Sequence, residues 1–275
     1  MSLGIAFKGP EGIVLATDSR VTLTAHGADT NTTIPTYYDN ATKLLKVKGQ
    51  QFVGAVTYGR GALGEAQPRT AHSYIPEFEQ ELVAEVGEET RLSVEDFATR
   101  LSEFFQGQWE ATMPPNTPPD DTIVFLVGGY DEDAAYGRVF QIAIPTEPIP
   151  KEFNVGNEFG ITWGGQGEIA SRLIHGYDPN LDQLVRAHVH LNPAQTANLR
   201  EKALRGLAVP IPYQFLPLQD CVDLAIFLVK ATATLQKWML GIRGVGGAVD
   251  VATITRTEGF RPIQQKEIGG ERVEF

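Results

Sequence analysis

Leu3 to Lys8 and Ile13 to Ala16 are two strand-like runs joined by Gly9-Pro10-Glu11-Gly12, which is turn chemistry between apolar segments. The second run is apolar without interruption, so that strand is expected to be covered on both faces. A hairpin of this kind at the start of a chain draws the first residues into the fold. It also requires that later elements supply a layer on each side of it.

The rest of the chain offers those layers. Val21 to Thr42 is polar, Thr-rich and aperiodic, and reads as a long loop. Lys43 to Lys48 and Phe52 to Tyr58 read as a second hairpin around Gly49. Two helices follow. Ala62 to Val86 has apolar residues at helical spacing, with Pro68 and Pro76 bound to kink or delimit it. Ser93-Val-Glu-Asp96 is a capping pattern that opens the second. Thr122 to Gly129 and Arg138 to Pro145 form another strand pair, and Phe159 to Trp163 is a short strand. Helices are expected over Gly167 to His175, within Leu181 to Ala208, and over Leu218 to Leu240, with a last strand at Ala248 to Thr257. Strands, two helices, strands, helices, strand is not the short-period alternation of a doubly wound parallel sheet. Two antiparallel sheets flanked by helix pairs would bury these faces, an α+β, four-layer αββα arrangement.

At 275 residues and 42% apolar content one core is enough, and no shift in composition marks a boundary. The expected organisation is one domain over 1–275, with a helical insertion around 176–217 and a C-terminal tail over 259–275. A net charge of −11 leaves no basic excess to displace counterions from a phosphate backbone, so nucleic acid is not the expected partner. The lone Cys221 excludes an internal disulfide and a cysteine metal cluster. Leu224 to Val229 is too short to span a bilayer, and the start lacks the charged and apolar regions of a secretory signal. A cytoplasmic protein away from membranes is expected.

The chemistry centres on the second residue. Trimming of Met1 would leave Ser2 first, with an α-amine of pKa about 7.7–8.0 beside its hydroxyl, a base matched to neutral pH on the nucleophile's own residue. By itself a Met-Ser start is commonplace. Asp18 and Arg20 close the second strand in "TDSR", and Lys43 opens the third in "ATKLLKV". An ammonium beside a hydroxyl favours the alkoxide, and Asp18, held by Arg20, could balance a buried lysine. A surface ion pair at strand ends explains the same letters. His188 and His190, two apart, do not share a helix face, so no metal pair is expected there. "GGQGEIA" (164–170) lacks the dinucleotide pattern, and no cofactor is expected.

"SLGIAFKGPEGIVLATDSRVT" resembles the start of mature proteasome β-type subunits, and "TKLLKV" and "VGGAVDVATI" are similar to that family's lysine-bearing strand and late double-glycine strand, especially in bacterial ancestral β-subunit-like members. The resemblance implies the αββα fold of the N-terminal nucleophile hydrolases and a peptidase built as a homo-oligomeric ring. Its substrates would be peptides or unfolded proteins, fed by a separate ATP-dependent unfoldase, since the chain has no Walker lysine motif. It places Ser2 on the nucleophile, Lys43 on the catalytic lysine, and Asp18 and Arg20 on the supporting pair. Backbone N–H groups at Tyr58 and Gly59 fall on the oxyanion hole, and Val56 on the substrate side-chain pocket. Serine stands in place of threonine, Tyr58 in place of a glycine, and Ile242 and Val245 in place of a supporting aspartate and serine. A catalytically silent ring or scaffold subunit, or an amidase for a small molecule, is the alternative.

Overall fold

The computed structural model describes residues 2–26, 33–64, 67–189, 192–267 and 269. In chain order the strands are β1 (Leu3–Lys8), β2 (Ile13–Asp18), β3 (Val21–His26), β4 (Thr33–Tyr38), β5 (Leu44–Leu45) and β6 (Val53–Gly59). Helices α1 (Ile75–Val86) and α2 (Val94–Thr112) come next, then β7 (Ile123–Gly129), β8 (Arg138–Ile144), β9 (Glu147–Phe153) and β10 (Gly160–Gly165). The chain continues through α3 (Glu168–Ile174), α4 (Leu181–Val189), α5 (Pro193–Leu207), α6 (Leu218–Gln236), β11 (Val249–Thr255) and β12 (Gly259–Gln264).

Two five-stranded sheets, β10-β1-β2-β11-β12 and β5-β6-β7-β8-β9, lie face to face, with antiparallel pairing throughout. Every residue of β1 and β2 is buried. Leu3, Ile5, Phe7, Val14 and Ala16 pack outward against α3 and α6, while Ala6, Ile13 and Leu15 pack inward against Val56, Tyr58 and Leu126 of the other sheet. The far face of that other sheet is covered by α1 and α2. Four layers result, and the uninterrupted apolar run of β2 is the consequence of its place in the middle of them.

Local chemistry sets the helix limits. The Ser93 hydroxyl accepts the Asp96 N–H at 3.0 Å and caps α2, whose buried Val94, Phe97, Ala98, Leu101 and Phe105 form one stripe. The helix expected over 62–86 is shorter. Leu63 bridges to Arg69, a 3₁₀ turn covers Ala71–Tyr74, and α1 begins only at Ile75, with Pro76 in its first turn, where a missing N–H costs nothing. α6 ends at Gln236, four residues before the expected Leu240.

Three other expectations are corrected. Val21–Thr42 is not a loop throughout, because β3 and β4 pair as a separate ribbon with Val21 opposite Tyr38. Val21-Thr-Leu-Thr-Ala25 does alternate as a strand should, but it sits in a polar, Thr-rich segment whose partner strand carries Pro35, and Leu23 and Tyr38 are exposed. Only Leu44–Leu45 of the Lys43–Lys48 run joins the ladder. Finally, β9 and β12 are strands that the sequence did not announce, and β12 occupies the first residues of the segment read as a tail. Both are sheet edges and both contain proline (Pro148 and Pro150, Pro262), which an edge tolerates because one side of its backbone needs no ladder partner.

Candidate active site

Three strand ends meet at Ser2. The pairing of Gly4 with Thr17 brings the start of β1 beside the end of β2, so that the Leu3 N–H reaches Asp18 Oδ1 at 3.0 Å. Lys43 sits one residue before β5, anchored by the Thr57 N–H donating to its carbonyl at 3.0 Å. From there Lys43 Nζ donates to Ser2 Oγ at 2.8 Å, to Asp18 Oδ1 at 2.9 Å and to the Arg20 carbonyl at 2.5 Å. These three acceptors match the three N–H directions of an ammonium. The Lys43 and Asp18 side chains are 6% and 1% exposed, so the pair is a buried one. Burial lowers the Lys43 pKa from its ordinary value, and the neighbouring Asp18 carboxylate opposes that shift.

Asp18 is satisfied on both oxygens. Oδ1 accepts from Leu3 N–H and Lys43, and Oδ2 accepts from the N–H groups of Arg20 and Gly246, each at 3.0 Å. The Arg20 contact is a local turn, a carboxylate accepting the N–H two residues on. It aims the Arg20 carbonyl at Lys43 and the side chain elsewhere. Contrary to the expectation from sequence, the guanidinium makes no hydrogen bond to Asp18, although its charge still acts on that carboxylate. It forms a forked pair with Asp39 at 2.6 and 2.8 Å and lies over the Tyr37 ring. Hydrogen bonding to Asp39 raises the Arg20 pKa, and the same contact holds Asp39 low. Arg20 therefore serves the lysine through its backbone.

Tyr58 and Gly59 differ in setting. Tyr58 faces Val124 in the β6–β7 ladder, in phase with the 2.7 Å bond from Arg60 N–H to the Thr122 carbonyl, so its own N–H is turned toward β7. Gly59 has φ +85°, and a Cβ there would lie 2.3 Å from the Thr122 carbonyl oxygen, so no other residue fits. The Tyr58 ring fills the space between the sheets left by Gly4 and Gly164, and burial raises its pKa. Val56 is fully buried between the sheets and is not among the residues that line the cavity at Ser2. Strand alternation gives that place to Thr57, which lines the cavity at Ser2 together with Val21, Ala41, Thr70 and Ala71.

No family model matches the chain, and no curated protein matches it in sequence. Solved structures do match in shape. Anbu (ancestral beta-subunit) from Yersinia bercovieri is 17% identical with a TM-score of 0.50, over 95% of this chain and 87% of that one. An Anbu (Gly-1) mutant from Hyphomicrobium sp. strain MC1 is 16% identical with a TM-score of 0.56, over 97% and 86%. The chain has the proteasome-like αββα fold of the N-terminal nucleophile hydrolases.

Within this proteasome-like fold the sequence reading missed a set of supporting groups. The Gln166 N–H donates to the Ser2 carbonyl at 2.8 Å, and Gln166 Oε1 accepts from Gln236 Nε2 at 2.7 Å. Gln236 Oε1 in turn accepts the Val245 N–H at 2.9 Å. This amide chain ties β10, the end of α6 and the loop before β11 to the backbone of Ser2, in the region where Ile242 and Val245 replace polar residues of the resembled pattern. Gln166 lies in a glycine-rich stretch and Gln236 at a helix end, and neither setting marks a site in sequence. His188 lies on α4, whereas His190 lies outside the described residues. Among the described residues there is no group of three or more acidic, histidine or cysteine side chains able to hold a metal, and no helix long and apolar enough to cross a membrane.

Proposed function

We propose that this protein is an N-terminal nucleophile amide hydrolase that cleaves peptide bonds through an ester on Ser2. The observation that carries this reading is the 2.8 Å contact between Lys43 Nζ and Ser2 Oγ, made by a buried lysine whose other donors are held by Asp18 and the Arg20 carbonyl. Once Met1 is removed, the freed α-amine takes the Ser2 hydroxyl proton while Oγ attacks the substrate carbonyl carbon. By the resemblance, the backbone N–H at Gly59 would stabilise the oxygen that gains charge, and the Lys43 ammonium stabilises the alkoxide. The α-ammonium returns its proton to the leaving amine, and water hydrolyses the ester by the same route. Met1 lies outside the described residues. Assembly into a ring of identical chains and supply of unfolded substrate by an ATPase belong to the same proposal, and exposed apolar side chains such as Trp238 and Leu240 offer contact surface for assembly.

A silent scaffold subunit is the second reading. It is favoured by Tyr58 in place of a glycine and by Ile242 and Val245 in place of a supporting aspartate and serine, and a retained Met1 would make the Ser2 nitrogen an amide without basicity. Intact mass and labelling separate the two. The hydrolase gives a mass short by one methionine and an epoxyketone adduct on Ser2 that Ser2→Ala abolishes. Trimmed protein that takes no adduct establishes the scaffold.

The cavity beside Ser2 also sets a preference. Its walls carry small uncharged side chains, and Arg60, the cation there besides Lys43, is paired with Asp121 and the Ala62 carbonyl. A charged substrate side chain would be desolvated without a partner. Fluorogenic peptides with alanine before the scissile bond should be cut at least about tenfold faster than those with arginine or glutamate. Equal rates would show that another surface reads the side chain.

A further inference from the structure

A second cavity, of about 720 Å³, lies between the last turns of α6 and the loop that leads into β11. Four cations line it, Arg20, Lys230, Lys237 and Arg243, against the single carboxylate of Asp39. In a chain of net charge −11 this is a local reversal of sign. Asp39 is already engaged by the Arg20 guanidinium through two hydrogen bonds. Among the described residues no carboxylate lies within ion-pair distance of Lys230, Lys237 or Arg243.

The placement is built by the fold. Lys230 on α6 and Lys237 at its C-cap are seven residues apart, two turns along one face. Arg243 is brought across from them by the loop, whose Arg243 N–H donates to the Tyr37 hydroxyl at 3.3 Å. The end of α6 adds a partial negative charge of about one half, which three full positive charges outweigh. Like charges gathered around a concave surface raise the local potential and attract a counter-ion. We propose that this cavity binds a small phosphate-class anion carrying two or more negative charges. A single carboxylate offers two oxygens to three separate cationic groups, while a diphosphate offers enough charge and acceptors for all of them.

The wall of this cavity is shared with the candidate active site. Arg20 presents its guanidinium to the cavity and its N–H and carbonyl to Asp18 and Lys43. Gly246, against which the guanidinium packs, donates its N–H to Asp18. An anion held here therefore sits one residue away from the groups that hold the lysine.

The test uses the full chain and sodium pyrophosphate as the probe, in calorimetry and thermal unfolding at constant ionic strength set with chloride. The expected result is saturable binding that weakens at least about tenfold in the Lys237→Gln/Arg243→Gln double variant and is unchanged in Lys151→Gln, an exposed lysine on β9. The substituted side chains are exposed, so the fold tolerates their loss. Ser2→Ala should bind as the unaltered chain does, which separates this site from the hydrolase reading. A response matched by chloride alone, or equal binding by the double variant, overturns the proposal.

Discussion

Asp18→Asn should lower stability by about 3–5 kcal/mol, and by more than Lys43→Met does. The asymmetry follows from the partners of each group. Without the carboxylate, Lys43 keeps a charge in a site that exposes 6% of its side chain, and two other carboxylates near it, Asp250 and Asp39, are held by Lys266 and Arg20. The asparagine amide would in addition turn a donor toward the N–H groups of Arg20 and Gly246, which now share Oδ2. Removing the lysine is gentler. Asp18 still accepts three backbone N–H groups, methionine fills most of the volume, and the loss is chiefly that of donors to Ser2 Oγ and the Arg20 carbonyl, about 1–3 kcal/mol. The double variant should cost less than the sum, since neither charge is then left alone.

Acidity gives the Asp18→Asn result a second signature. The Lys43 pKa is already lowered by burial, and the variant removes the carboxylate that opposes the shift, so the folded value falls further. The folded state then binds fewer protons than the unfolded state, whose lysine titrates at about 10.4, and stability rises with pH across the interval between the two values. Urea unfolding at about pH 7 and about pH 9.5 should show the deficit of Asp18→Asn shrinking at the higher pH. Equal costs for the two single variants, or a deficit that grows with pH, would show that Lys43 is not a buried cation dependent on Asp18.

Gly165→Ala should cost roughly 2–5 kcal/mol and displace Ser2. Gly165 has φ +84°, and an added Cβ would stand 2.0 Å from the Ser2 carbonyl oxygen. That oxygen accepts the Gln166 N–H, and Gly165 pairs with Leu3 in the β1–β10 ladder, so the strand cannot yield without moving Ser2 away from Lys43. Gly241→Ala is the matched control. Its φ is +111°, yet nothing lies within 4 Å of the added atom, so it reports the backbone cost alone, about 1–2 kcal/mol. If both variants unfold at the same denaturant concentration, the close approach at Ser2 contributes nothing.

The legible part of the fold is the part written in short-range patterns. The buried hairpin, the Ser93 cap and the start of α6 each depend on residues within a few positions, and each is readable. The strands that escaped are β9 and β12, where proline contradicts strand propensity and edge position removes the contradiction. The β3–β4 ribbon escaped although Val21, Leu23 and Ala25 alternate with threonine, because the segment is polar overall and Pro35 contradicts strand propensity in the partner. At the site, Ser2, Asp18 and Lys43 were legible as strand-end residues of the right chemistry. The partner of the Arg20 guanidinium was not, nor was the burial of Val56 in place of Thr57.

Sequence alone therefore determined which layers exist and which polar groups stand at the ends of β1, β2 and β5, because periodicity and turn chemistry are local. Only the tertiary structure decided what those groups touch. The Gly246 N–H that completes Asp18 comes from 228 residues away, the amide chain at Ser2 joins Gln166 to Gln236, and the turn at Asp18 sends the Arg20 side chain out to Asp39. Contacts of that separation are fixed by how the layers close on one another, a property of the packed whole that no window of residues carries.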